Sequence, residues 1–91
     1  MNFSTSSIRP LVEIGSIVHY GARDVVGNSL MRLAAVVTAM HSDSLIVNLC
    51  VFLPSGVTTA KAYVLYSDEL IDCRWSWPPS VIQKLELELR R

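Results

Sequence analysis

Two tryptophans separated by a single residue are the most distinctive chemical feature of the sequence. Trp75 and Trp77 would point to the same face of a β-strand, because side chains alternate along a strand. Two neighbouring indole rings can stack on a nucleobase, which is worth about 1–3 kcal/mol per base. The alternative is that both rings fill the open end of a small barrel. The pair therefore predicts either a ligand platform or part of the core.

Basic and aromatic side chains elsewhere in the chain could complete a ligand site. Arg32 and Arg74 could each pair with a phosphate through two hydrogen bonds, and His19 and Tyr20 end the first predicted strand. No Asp or Ser is spaced to orient His19 or His41 as a catalytic base. Each of these residues has the alternative role of an ordinary surface or core residue. The predicted ligand-binding set is Trp75, Trp77, Arg74, Tyr20, His19 and Arg32.

The sequence lacks the signatures of metal, cofactor and phosphate-loop sites. Its glycines fit neither GxxxxGK[ST] nor GxGxxG. Cys50 and Cys73 form no CxxC pair, so we expect two buried, reduced thiols. The acidic residues of segment 68–72 are typical of a solvated loop rather than a calcium site. We therefore expect no metal, no cofactor and no enzymatic activity.

Composition limits the class of protein and the kinds of partner. The chain has 91 residues, of which 51% are hydrophobic and 18% charged, and its net charge is zero. A neutral chain offers no steering toward duplex nucleic acid or an anionic membrane. The surplus of apolar residues predicts a homo-oligomer. The N-terminal stretch does not resemble a signal peptide, and no apolar run approaches the roughly 20 residues of a membrane span, so we expect a protein of the cytoplasm.

Hydrophobic patterning predicts one β-domain at residues 13–78, preceded by a flexible lead-in at 1–12 and followed by a helix at 79–91. The longest apolar run is the central strand, 45–53. Turn signals at 41–44 and 54–56 flank it. The predicted strands are 14–20, 32–40, 45–53, 57–66 and a short one at 73–77 that ends at two prolines. This pattern predicts a small antiparallel barrel, SH3-like as first choice and OB-like as the alternative.

The period of two along the strands predicts which side chains fill the barrel. On the third strand the aliphatic face comprises Leu45, Val47, Leu49, Val51 and Leu53, and on the fourth it comprises Ala60, Ala62, Val64 and Tyr66. The opposite face of the third strand comprises Ile46, Asn48, Cys50 and Phe52. We expect the terminal helix or a second subunit to cover this mixed face. Ser80 is the predicted N-cap of that helix, with Gln83 completing a capping box. The alternative for residues 80–91 is a strand, in which Leu85, Leu87 and Leu89 alternate with charged residues.

Four segments in order and spacing resemble a family of short proteins of tailed bacteriophages and prophages. They are IVHY at 17–20, AAVVT at 34–38, VNLCVFLPSG at 47–56 and WSWP at 75–78. The family's closing motif, GTWHWPE, is altered here at Cys73, Arg74, Ser76 and Pro79. The resemblance covers about residues 14–79. It implies a phage origin, a role in the cytoplasm of an infected bacterium, and no established enzymatic activity.

Two functions from different classes follow. The first is an oligomeric sponge whose aromatic and arginine side chains sequester a nucleotide immune signal of the host, an interpretation that rests on analogy with other small phage proteins. The second is a protein-interaction module, either a virion assembly component or a direct inhibitor of a host defence protein.

Overall fold

The computed structural model describes residues 10–42 and 45–90, in which five strands close into a barrel and one helix follows. The predicted lead-in up to residue 9 lies outside the described residues. The elements are β1 (Ile17–Arg23), β2 (Leu30–Met40), β3 (Ile46–Phe52), β4 (Thr58–Tyr66), β5 (Arg74–Ser76) and α1 (Pro79–Leu89). The predicted class, a small β-barrel with a C-terminal helix, is confirmed.

The strands follow chain order around the barrel, and β5 closes it against β1. This meander differs from the Greek-key order of an OB-fold, so the OB-like alternative does not fit, and the SH3-like choice stays a prediction. The pairing of β4 with β5 is parallel, whereas we predicted an antiparallel barrel throughout. The reason is the path of segment 67–73, which runs back along β1 before β5 begins. Asp72 forms a parallel β-bridge with Gly21, and the Cys73 amide donates to the Gly21 carbonyl at 2.8 Å.

A glycine is required where this segment crosses β1. A Cβ on Gly21 would collide with the backbone carbonyl of Ile71. Strand β1 continues through Gly21 to Arg23, three residues beyond the predicted end of the first strand at residue 20. It also begins later than predicted, because Ile14 lies in a turn before it and is exposed.

The barrel is filled largely by the side chains that alternation predicted. On β3, Val47, Leu49 and Val51 are fully buried, and Leu53 packs against them. They meet inward residues of the neighbouring strands in register, for example Val51 opposite Ala35. The core comprises Val12, Val18, Tyr20, Leu33, Ala35, Val37, Val47, Leu49, Val51, Val64, Trp75 and Trp77.

The predicted inward face of β4 is wrong for its first half. Val47 lies opposite Val64, but two residues further along β3 Leu49 lies opposite Lys61, so β4 carries one extra residue. This bulge places Tyr63 in the left-handed region, with φ of 54°. Residues directly opposite across a strand pair share a face. Ala60 and Ala62 are therefore exposed, whereas Thr59 and Lys61 share a face with the inward residues Val51 and Leu49, with the Lys61 side chain itself exposed to solvent.

Helix α1 is confirmed as a helix, but its start differs from the prediction. Pro79 occupies the first helical position and no side chain caps the N-terminus, so the predicted capping box at Ser80 does not form. Proline suits this position because its missing N–H would have no partner in the first turn. Val81 and Ile82 pack against the core, whereas Leu87 and Leu89 are exposed. In the described part of the chain, no helix is long and apolar enough to span a membrane.

Helix α1 does not pack along β3, so it leaves the mixed face of that strand open. Phe52 is 43% exposed there, and the predicted cover by the helix is wrong. The two thiols also differ from the prediction, since Cys50 is half-buried and Cys73 is exposed.

Candidate functional site

The two tryptophans lie in the core and not on a platform. Trp75 has no exposed surface and Trp77 is 9% exposed. The Trp75 indole N–H donates to the Leu45 carbonyl at 3.1 Å, and the two rings meet edge to face at 5.8 Å. A ring with no accessible face cannot stack on a base, so the structure assigns Trp75 to the alternative role, filling the barrel.

The other four predicted residues do not form one site. Tyr20 points into the barrel and is 5% exposed. His19 and Arg32 lie together on the outer surface, where an Arg32 guanidinium nitrogen is 3.0 Å from His19 Nδ1. Arg74 is half-buried at the start of β5. The sequence thus identified residues of two separate concave regions.

The first concave region is the barrel mouth, a cavity of about 380 Å³ at one end of the barrel. Tyr20 and Leu33 form part of its base, and charged side chains surround them. Its full lining is Tyr20, Ala22, Arg23, Leu33, Leu53, Thr59, Lys61, Asp72 and Cys73. Small-ligand sites are commonly concave, about 300–1,000 Å³ in volume, and found in the mouths of β-barrels.

Lys61 supplies a positive charge to the barrel mouth. Its ammonium lies 6.0 Å from the centre of the Tyr20 ring, within the range of a cation–π interaction. The bulge in β4 brings this side chain inward, because without the extra residue the face containing Ala60 and Ala62 would point into the barrel. Bulges commonly redirect side chains near functional sites in this way.

Tyr20 is held as a hydrogen-bond donor. Burial raises the pKa of Tyr20 to about 12, and the hydrogen bond with the Cys73 thiol and the negative charge of Asp72 act in the same direction. The phenol therefore stays protonated at neutral pH. Cys73 itself has φ of 62°, a conformation that non-glycine residues seldom adopt.

The remaining charged groups of the mouth are fixed to the backbone. The Asp72 carboxylate accepts from the Arg23 amide at 3.0 Å, and the Arg23 guanidinium donates to the Asn28 carbonyl at 3.1 Å. Counting Lys61, Arg23 and Asp72, the mouth has two cations and one anion. Its local charge therefore favours an anionic ligand.

Sequence reasoning missed most of this site. Lys61, Thr59, Asp72 and Cys73 come from β4 and from segment 67–73. The alternation of side chains along a strand does not predict that these four residues face the barrel mouth. The bulge in β4 and the path of segment 67–73 beside β1 place them there. Tyr20 was found because it lies on the regular part of β1.

The second concave region is a groove of about 270 Å³ between segment 68–70, the end of β5 and the first turns of α1; we call it the helix groove. Its lining is Arg32, Asp68, Glu69, Leu70, Ser76, Trp77, Pro79, Ile82 and Gln83. Ser76 Oγ and Trp77 Nε1 are buried there and have no hydrogen-bond partner. Among the described residues, no three His, Cys, Asp or Glu side chains cluster to hold a metal ion.

Comparison with known proteins does not extend this picture. The chain matches no protein-family model, no curated protein and no solved structure. The resemblance to short phage proteins consequently remains an expectation from the sequence, and the function has to be argued from the geometry.

Proposed function

We propose that the protein is a non-enzymatic binding protein whose barrel mouth holds a small phosphate-bearing ligand of the nucleotide class. The observation that carries this proposal is the inward position of Lys61, beside Tyr20 at the wall of a cavity large enough for a ligand. Lys61 is exposed to solvent at this wall, so an anion entering the cavity can reach its ammonium.

The mouth offers two donors to a phosphate. The Lys61 ammonium supplies a positive charge, and the Thr59 hydroxyl can donate a hydrogen bond. The apolar side chains of Leu33 and Leu53 provide the wall that a base or sugar could contact. A charged group at one side and an apolar surface at the other is the combination that a nucleotide requires.

Catalysis is not part of the proposal. None of the residues that line the mouth is a histidine, and Tyr20, with its raised pKa, is a poor base at neutral pH. The tryptophan platform is not part of it either, since Trp75 is inaccessible. The proposal thus replaces stacking between indoles with ionic contacts at the mouth.

The biological setting follows from the resemblance to short proteins of tailed phages. We propose that the protein acts in the cytoplasm of an infected bacterium and sequesters a nucleotide signal, which would protect the phage from host defence. Support for this setting comes from the motifs at 17–20, 34–38 and 47–56 and from the anion-binding character of the mouth.

Isothermal titration tests the binding proposal. The ligands are cyclic dinucleotides, cyclic ADP-ribose isomers and mononucleotides. We expect binding by at least one of them, and a loss of about tenfold or more in affinity for Lys61→Ala, since charge-assisted contacts are worth about 1.5–3 kcal/mol. Lys84→Ala is the matched control, because Lys84 is exposed on α1. Absence of heat with every ligand, or equal losses in both variants, would reject the proposal.

A second candidate is a protein-interaction module that also associates with itself. It is favoured by the outward side of strands β1–β3, which we call the outer sheet face. On this face Ile17 lies opposite Val36, and Val36 lies opposite Cys50. Ile17 is 64% exposed and the neighbouring Phe52 is 43% exposed. A contiguous apolar surface on a small protein is typical of a contact with another chain.

Solution mass by light scattering tests self-association through the outer sheet face. We expect an oligomer in the wild type and a monomer in Ile17→Lys. Val57→Lys is the matched control, because Val57 is an equally exposed β-branched residue in the β3–β4 hairpin. A monomeric wild type, or dissociation by both substitutions, would rule out this face as the contact.

A further inference from the structure

We infer that the helix groove is a docking site for an extended peptide segment that carries a basic side chain. This inference concerns a different surface from the barrel mouth and does not depend on the proposed ligand there. It follows from two buried polar groups without partners and from the charges on the rim of the groove.

The two polar groups are consecutive along the chain. Ser76 is 3% exposed and Trp77 is 9% exposed, and Ser76 Oγ and Trp77 Nε1 have no hydrogen-bond partner. Nearly all buried polar groups of folded proteins are paired. Both residues line the same groove, so one ligand entering it could supply acceptor oxygens to the serine hydroxyl and the indole N–H.

This contact requires a local rearrangement at the groove. Both atoms are shielded from water, so segment 68–70 or the first turn of α1 has to move outward as the ligand enters. Pro79 and Ile82 on the helix side and Leu70 on the opposite side are apolar. A peptide backbone offers carbonyl acceptors between its side chains, and it can satisfy such donors while its side chains contact the apolar walls.

The charges on the rim identify the peptide more closely. Asp68 and Glu69 are both exposed, and neither forms an ion pair within the described part of the chain. Asp68 accepts one hydrogen bond, from the Tyr66 hydroxyl at 2.8 Å. Two carboxylates that have no ion pair among the described residues, at the edge of an apolar groove, favour a lysine or arginine of the partner.

Arg32 on the β2 side of the rim does not cancel this preference. Its guanidinium contacts His19 Nδ1 at 3.0 Å, an acceptor that must be unprotonated to take this bond. The Arg32 guanidinium is therefore engaged with β1 rather than paired with Asp68 or Glu69. The groove thus has an acidic and a basic side.

Peptide selection followed by NMR tests the inference. Peptides are selected from a random dodecapeptide library on the immobilised full-length protein, and the most enriched peptide is titrated into ¹⁵N-labelled protein. The two tryptophans give two indole N–H signals. We expect the Trp77 signal to shift and the Trp75 signal to stay, because Trp75 already donates to the Leu45 carbonyl.

Substitutions on the rim complete the test. We expect the double variant Asp68→Asn, Glu69→Gln to lose about tenfold or more in affinity for the selected peptide, whereas Glu88→Gln, an exposed carboxylate near the end of α1, leaves it unchanged. The inference is overturned if no peptide is enriched, if the enriched peptides lack a basic residue, or if the Trp77 signal does not move. Lys61→Ala should not affect this binding, which separates the result from the proposal for the barrel mouth.

Discussion

Asn48 is the residue on which the geometry of β4 depends most directly. Its Oδ1 accepts from the Tyr63 amide at 2.9 Å and from His41 Nε2 at 2.9 Å. Two donors on one atom fix the orientation of the side-chain amide and the tautomer of His41. The His41 and Tyr63 rings stack at 4.2 Å with an interplanar angle of 15°. We predict that Asn48→Ala destabilises the protein by releasing both donors.

The size of the effect follows from the two lost hydrogen bonds. Each is worth about 0.5–1.5 kcal/mol, and water can reach the Tyr63 side of the site because that residue is 70% exposed. We therefore expect a loss of about 1.5 kcal/mol in the free energy of unfolding, which corresponds to about 6–12 °C in Tm for a domain of this size. Asn48→Asp, which keeps an acceptor oxygen at the same place, should stay close to wild type at neutral pH.

Urea unfolding followed by circular dichroism measures the loss, and titration of the mouth ligand gives a second readout. The bulge in β4 turns Lys61 inward. Loss of the hydrogen bonds to Asn48 should therefore also weaken anion binding at the barrel mouth, although Asn48 does not line it. If Asn48→Ala and Asn48→Asp unfold at the same urea concentration, the hydrogen bonds to Oδ1 do not hold the bulge and the reasoning is wrong.

Three further predictions concern β1 and its neighbours. Gly21→Ala should destabilise the protein by at least about 2 kcal/mol in urea unfolding, because the new Cβ collides with the Ile71 carbonyl; an unchanged midpoint would contradict the packing described here. The pKa of Tyr20 is raised to about 12, so as the pH rises the unfolded chain loses the phenol proton before the folded protein does. The free energy of unfolding should therefore fall between about pH 10 and 12, by up to about 2.7 kcal/mol. Tyr20→Phe should lack this fall. Burial and the Arg32 charge lower the pKa of His19, so its contribution to stability is present above about pH 6.5 and declines as the pH falls further; Arg32→Gln should raise this pKa in an NMR titration.

The regular part of the barrel could be predicted from the sequence. Val47, Leu49 and Val51 alternate with more polar or exposed residues, and the period of two alone identifies them as core. The hairpin at 54–56 was predicted equally well, since Gly56 takes φ of 94° after a proline. Both features depend on local sequence, which explains why no structure was needed to find them.

The bulge in β4 could not be predicted, because its cause is distant in sequence. Tyr63 takes a positive φ without the glycine or asparagine that commonly marks such a position. This conformation is compensated by the side-chain oxygen Oδ1 of Asn48, fifteen residues earlier, which accepts from the Tyr63 amide. The start of α1 is a different case. Proline is common at the first helical position, so Pro79 was a usable signal that we had interpreted only as the end of β5.

The two tryptophans fill space that small and polar side chains leave in the barrel. Several of the inward residues of β1–β4 are alanine or valine, and Thr59 and Lys61 take the place of the two alanines predicted to face inward on β4. The space that these small and polar side chains leave has to be filled. Trp75 in the three-residue strand β5 and Trp77 directly after that strand fill part of it.

This packing connects the core to both proposed sites. Tyr66 contacts Trp75 edge to face at 4.7 Å, and Trp75 in turn contacts Trp77 at the wall of the helix groove. Tyr20 lies opposite Trp75 across the β1–β5 pair and reaches the barrel mouth. Trp75 has no exposed surface and its indole N–H is held by the Leu45 carbonyl, so it lies between the two concave regions as a fixed part of the close-packed core. Binding in the helix groove should therefore move Trp77 and leave Trp75 and the barrel mouth in place.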